Sequence, residues 1–215
     1  ENAGTYAITP SGLTSTNYAI AFENGELSIT QKALSITAED KSKVYGSADP
    51  THTAVYDGFI EGEDETGLSG ELVFNRESGE DVGTYTITPS GLTSANYAIT
   101  FEGGELTVSE KQLTISNPVI ELLKVHDGSR DAYVEVGALQ NLESGDDVSV
   151  SGVALYDDEN VGVDKTITVS YSISGNDAGN YLAPEDYSIG NGVIEEDFVP
   201  VFTSSNEFTI EENEV

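Results

Sequence analysis

The sequence predicts a mostly all-β protein of small tandem modules, of β-sandwich or β-grasp type, set end to end as an elongated rod. Three observations carry that expectation: a long internal repeat, a strand-rich composition, and joints with no room for linkers. Residues 4–36 and 83–115 share 23 identities in 33 positions, 79 residues apart. A repeat of that length at a fixed spacing marks an array of units, each closing its own core. The chain is rich in Thr, Val, Ile and Tyr, and its 22 Gly among 215 residues punctuate turns. Strand character runs from Glu105 to Ser116 with only Glu110, Lys111 and Gln112 between two modules, and the same holds around Gln31 and Lys32. Joints so short are expected to hold neighbours in a fixed, extended relation.

Composition narrows the class. Hydrophobic residues make up 37% of the chain, enough for small cores that are marginal alone. There is no Cys, Met or Trp, so stability rests on packing, neighbouring modules or bound ions. The 39 acidic and 8 basic residues leave a net charge of −31. That balance repels nucleic acid and anionic membrane, keeps a long array extended, and supplies the hard oxygen ligands that Ca²⁺ prefers. No apolar run approaches the ~20 residues that span a bilayer. Thiol catalysis and zinc–thiolate sites are excluded.

Taken in order, residues 1–30 read as the closing part of a module whose first part is absent, so the chain is expected to be a segment of something longer. Its runs Thr5–Thr9, Tyr18–Phe22 and Glu26–Thr30 are three short strands at the edge of independent stability. Residues 31–110 form a complete copy. Ala33–Ala38 alternates apolar and polar residues, as a half-buried strand does. Val44–Pro50 is a strand followed by a turn, and Ala54–Ile60 a short extended or helical piece. Leu68–Phe74 and Val82–Thr88 are strands on either side of a polar loop, and Pro89-Ser90-Gly91 is expected to turn the chain. Asn96–Phe101 and Glu105–Ser109 read as a hairpin across Glu102-Gly103-Gly104.

Residues 111–195 form a second, diverged module. Val125–Ser129 is a strand-to-turn signal, Tyr133–Val136 alternates, Val148–Tyr156 is a long strand or a bulged pair, and Lys165–Ile173 alternates clearly. Asn180-Tyr181-Leu182 echoes Asn96-Tyr97-Ala98, and Gly192-Val193-Ile194 echoes Gly104-Glu105-Leu106, so both modules close alike. Residues 196–215 read as a linker with Pro200 and the first strand of another domain.

These residues carry a resemblance. Val44-Tyr45-Gly46, Asp49-Pro50, Gly83-Thr84-Tyr85, Gly91-Leu92, Asn96-Tyr97-Ala98-Ile99 and Gly104–Val108 resemble the MBG-type (YGX-like) repeat of bacterial surface adhesins. Lys124-Val125-His126-Asp127-Gly128-Ser129 resembles the YDG-type repeat, with His126 where that family has Tyr. Pro200–Ser204, Phe208–Ile210 and Glu211–Asn213 resemble the opening of a cadherin-like domain. The resemblance implies a stalk segment of a large secreted or cell-surface bacterial adhesin, with neighbouring modules as its partners and no enzyme activity. The alternative is that module 111–195 itself binds host or environmental glycan or protein. By the cadherin resemblance, Glu212 would help ligate Ca²⁺ at a domain junction.

The acidic groups read two ways. Glu61–Glu65, Glu143–Asp147 and Asp157-Asp158-Glu159-Asn160 are partial Ca²⁺ sites or solvated loops, and none has the spacing of a complete calcium loop. Glu195, Glu196 and Asp197 beside Glu211 and Glu212 would repel one another unless a cation lay between them. The metal candidates are therefore Glu196, Asp197 and Glu212, then Asp157 and Asp158. His52 and His126 sit in different modules without a nucleophile nearby and read as turn or surface residues. Tyr6, Tyr18, Tyr85, Tyr97 and Tyr181 recur at equivalent places and read as core.

Overall fold

A computed structural model describes residues 2–197, which divide into two compact units between Ser109 and Glu110. Among the described residues, all regular structure is strand apart from two 3-10 turns, Glu65–Gly67 and Ala178–Asn180. Each unit is taken by itself.

The first unit contains β1 (Gly4–Ile8), β2 (Gly25–Ile29), β3 (Lys32–Ala38), β4 (Lys41–Val44), β5 (Ala54–Asp57), β6 (Ser69–Arg76), β7 (Gly83–Thr93), β8 (Tyr97–Glu102) and β9 (Gly104–Ser109). They form a three-stranded sheet β5-β3-β8, a four-stranded sheet β4-β9-β7-β6, and the separate pair β1-β2. Leu34 and Ile36 from the first sheet and Leu92 from the second meet in one core, with Tyr97, Phe59 and Leu72 packed around them. Ala38, at the end of β3, and Ile87, Leu106 and Val108 from the larger sheet form a second core, against Phe74 and Tyr85. No α-helix lies among the described residues, so nothing there plays the helix of a β-grasp, and two facing sheets are what the unit has.

Three expectations change. Asn96–Phe101 and Glu105–Ser109 are not a hairpin. β8 runs parallel to β3 in one sheet, whereas β9 lies between β4 and β7 in the other. The chain changes sheets at Gly103 and Gly104, and a Cβ on Gly104 would run into the Ala38 carbonyl where β3 leaves its own sheet. Pro89 does not turn the chain but lies buried inside β7. It is tolerated because β9 pairs with β7 only as far as Ile87, so no ladder bond is lost beyond that point. Tyr18–Phe22 forms no strand. Its counterpart β8 is held by β3, and residues 2–29 contain no counterpart of β3.

The second unit contains β10 (Lys111–Gln112), β11 (Val119–Ile120), β12 (Leu123–Val125), β13 (Asp131–Ala132), β14 (Val134–Glu135), β15 (Ser149–Tyr156), β16 (Gly162–Ser174), β17 (Tyr181–Leu182) and β18 (Tyr187–Glu195). The main sheet runs β12-β18-β16-β15-β13. Its last strand, β18, lies between a parallel β12 and an antiparallel β16, the arrangement of β9 in the first unit. Ala154, Tyr156, Ile167, Val169, Tyr171 and Ile194 make its core. A bulge between Gly162 and Lys165, with Asp164 at φ 56°, turns the Lys165 side chain inward.

Candidate functional site

Both units use one device to hold an acidic loop. β8 opens with Tyr97, paired in parallel with Lys32, and β17 opens with Tyr181, paired in parallel with Lys111. Each tyrosine is buried. The Tyr97 hydroxyl donates to the Glu63 carboxylate and accepts the Ile60 N–H at 3.0 Å. The Tyr181 hydroxyl donates to Asp146 at 2.5 Å and accepts the Glu143 N–H at 3.0 Å. Burial, reinforced by the carboxylate that accepts its proton, pushes the Tyr181 phenol up to about 12. Burial and the Glu63 contact move Tyr97 in the same direction. The loops read in sequence as partial calcium sites thus spend Glu63 and Asp146 on core tyrosines.

The scarce cations are all engaged. Lys43, buried at the end of β4, reaches Asp49 at 2.6 Å and Glu80 at 2.5 Å. Arg76 meets Asp49 at 2.9 and 3.1 Å and Glu80 at 2.7 Å, and its guanidinium lies 5.1 Å from the Tyr85 ring centre. Arg76 and then Lys43 hold the Asp49 carboxyl below its ordinary range. Burial works to lower Lys43, but the hydrogen bonds it donates to Asp49 and Glu80 outweigh it and keep the ammonium raised. In the second unit Lys124 pairs with Asp127 at 2.7 Å, holding that carboxyl at about 2, and lies 6.0 Å from the Tyr156 ring centre. Lys165 pairs with Asp158 at 2.5 Å, Lys41 with Glu39, and Lys111 with Glu143. Lys32 and Arg130 donate to the carbonyls of Phe59 and Tyr156. Sequence reading missed the Lys43–Asp49–Arg76–Glu80 cluster. Its signal was two of only eight basic residues at inward places on alternating strands.

A groove of about 240 Å³ in the second unit is lined by residues 112–118, Tyr171 and residues 184–187. The Tyr171 hydroxyl is buried there without a hydrogen-bond partner. Among the described residues, Nδ1 of His52, whose ring tilts against Phe74 at 5.9 Å, is likewise a buried side-chain atom without a hydrogen-bond partner. His52 is half-buried and His126 exposed.

The metal candidates fall in separate places. Asp158 accepts from Lys165 and from the Asn160 N–H at 2.7 Å, and Asp157 accepts the Asp158 N–H at 3.1 Å. Glu196 and Asp197 are exposed just after β18, and Glu212 lies outside the described residues. Among the described residues, no group of three or more His, Asp or Glu is placed to hold a metal ion. Tyr97 and Tyr181 are buried and Tyr85 half-buried, as core residues are, but Tyr6 is 42% and Tyr18 79% exposed, because the strands that would cover them are not in residues 2–29.

The fold and these sites define a tandem of all-β repeat domains. Residues 1–28 and 34–107 match the family model of the MBG domain (YGX type), and residues 109–188 match that of the YDG domain. The chain therefore carries an MBG domain of the YGX type followed by a YDG domain. Both are repeat-type domains found in large adhesin-like proteins, and neither family is enzymatic. Comparison with curated proteins finds no match. The cadherin-like stretch at residues 200–213 lies outside the described residues.

Proposed function

We propose that this chain is a spacer, a stalk segment of a large secreted or cell-surface bacterial adhesin that extends a distal binding region from the cell. The joint carries this reading: β9 ends at Ser109 and β10 starts at Lys111, leaving Glu110 alone between them. One residue leaves no room for a long flexible linker, which supports a spacer. The net charge of −31 adds self-repulsion along the array. With every cation engaged internally, the surface suits neither nucleic acid nor an anionic membrane, and the partners are the adjoining modules. No helix among the described residues is long and apolar enough to cross a membrane. Small-angle scattering of the chain tests the spacer. A compact 215-residue particle would have a radius of gyration of about 17 Å. A value clearly larger, with a rod-like profile, is expected; a value near the compact one rejects it.

A second reading has its own observation. The buried, unpartnered Tyr171 hydroxyl in the 112–118 groove suits a glycan or protein ligand of the second module. A glycan array and cell-binding assay with Tyr171→Phe as control test it, and equal signal from both proteins removes it. Calcium is a separate matter, resting on Glu196 and Asp197. A melting midpoint unchanged by chelator would reject a stabilising ion.

A further inference from the structure

The two units treat one strand differently. In the first, β8 lies parallel to β3 from Lys32↔Tyr97 to Thr37↔Glu102. In the second, the matching strands β10 and β17 pair only as Lys111↔Tyr181 and Gln112↔Leu182. The last bond of that ladder runs from the Leu113 N–H to the Leu182 carbonyl at 3.1 Å. Pro184 stands as far past Tyr181 as Thr100 stands past Tyr97, and it has no N–H to carry the ladder on. The Leu113 carbonyl accepts the Gln112 side-chain amide at 3.2 Å instead. The chain then enters β18, which extends along β16 as Thr168↔Ser188 and Val169↔Tyr187.

That departure leaves an open edge. The Ser116 N–H donates to the Ala138 carbonyl, and the Thr114 carbonyl accepts the Gln140 N–H, each at 3.0 Å. Ile115 lies between them in an antiparallel bridge to Leu139. Backbone groups alternate sides along a strand, so the Ile115 N–H and C=O point the other way, to the side that β8 takes in the first unit. Neither has a hydrogen-bond partner among the described residues. Ile36, the counterpart of Ile115, is buried, whereas Ile115 is only half-buried. Where Ile99 and Phe101 fill the first unit's core, the second has Ala183 and Glu185. The groove of about 240 Å³ lies here, lined on one side by residues 112–118 and on the other by 184–187. Tyr171 lines it as well, 7% exposed and with its hydroxyl unpartnered.

We propose, resting on the ligand-binding reading of module 111–195, that this groove takes an extended peptide as an added strand, apolar on its inward side and bearing a basic residue. The Ile115 N–H and C=O bond the peptide backbone, as β3 bonds β8. An apolar side chain covers Leu113 and Ile115, and the Tyr171 hydroxyl gains the partner it lacks. Glu185 and Asp186, both exposed on the groove wall, attract the basic residue. A glycan suits the groove less well. Its volume is below the roughly 300 Å³ at which small-molecule sites begin, and the Tyr171 ring is buried rather than offered for stacking.

The test mixes the full chain with an array of synthetic peptides of about eight residues, alternating Ile or Val with Thr and carrying one Lys. Binding that slows exchange of the Ile115 amide is expected. Backbone N-methylation of alternate residues gives two frames of each bound peptide. One frame should weaken binding about tenfold or more and the other leave it unchanged, because one row of amides faces the edge. Replacing the peptide's Lys by Glu should weaken it too. Tyr171→Phe should weaken binding while the melting midpoint holds, since the lost hydroxyl had no partner in the chain. Equal effects of the two frames overturn the proposal, as does binding that Tyr171→Phe leaves unchanged. An array with no peptide bound overturns it as well. If a glycan array then gives a signal that Tyr171→Phe abolishes, the ligand-binding reading stands without the peptide. Silence on both arrays removes both.

Discussion

The Tyr181 hydroxyl donates to the Asp146 carboxylate at 2.5 Å from a ring that is 3% exposed. Tyr97 does the same for Glu63 in the first unit. A short loop is thereby tied to a core side chain, and the loop's charge is partly spent on that tie. Tyr181→Phe keeps the ring and removes the hydroxyl, taking one partner from the Asp146 carboxylate and one from the Glu143 N–H. A loss of about 1–3 kcal/mol is expected in urea unfolding of the second unit. Faster amide exchange across residues 143–147 should accompany it. Tyr97→Phe should act in the same direction on residues 60–65.

The same hydroxyl makes the second unit alkali-sensitive. An unfolded tyrosine titrates near ~10, and Tyr181 is raised to about 12 in the fold. The folded state therefore holds the proton more tightly. The stabilisation is complete below about pH 10 and is lost as pH rises towards about 12. Melting followed across that window should show the fall, and Tyr181→Phe should flatten it.

Acid acts on the opposite groups. The Asp49, Glu80 and Asp127 carboxyls are all depressed, the first mainly by Arg76, the second by Lys43 and the third by Lys124. Their contribution is present above the ordinary carboxylate range of about 4 and lost as pH falls through the folded values, about 2 for Asp127. Asp49→Asn should reduce the acid dependence of the first unit. Asp49→Ala should cost about 1–2 kcal/mol, because the buried Lys43 is left with only the exposed Glu80 while solvent at the 35% exposed Asp49 screens the pair.

Gly104→Ala places a methyl against the Ala38 carbonyl at the point where two strands change sheets. Neither backbone can yield without disturbing β3 or β9. A loss of about 1–3 kcal/mol is expected by thermal melting. Gly62→Ala, where a methyl would meet no atom within 4 Å but φ is +87°, is a control for backbone strain alone.

Much of this was legible in the residues. The alternation in Ala33–Ala38 and Lys165–Ile173 marks strands because side chains two apart share a face, and both segments are strands with buried alternate positions. The strand-to-turn signals at Gly46 and Gly128 were equally plain, and both glycines have positive φ, 78° and 75°. The hairpin expected across Gly103 was not there, because a turn signal reports that the chain bends and not which strand it joins next. The cation cluster escaped notice because Lys43, Asp49, Arg76 and Glu80 are up to 37 residues apart.

The repeat, the strand character, the acidic balance and the two tyrosine-led closing motifs belong to the order of residues, since each is a local or compositional property. Burial is not. Asn17-Tyr18-Ala19-Ile20 and Asn96-Tyr97-Ala98-Ile99 are the same four residues with the same turn. Tyr18 is 79% exposed and Tyr97 5% exposed. What separates them is the presence of β3, some sixty-five residues from Tyr97 along the chain and beside it in space. Distant contacts of that kind decided which tyrosines became core, which sheet each strand entered, and where the few cations found partners.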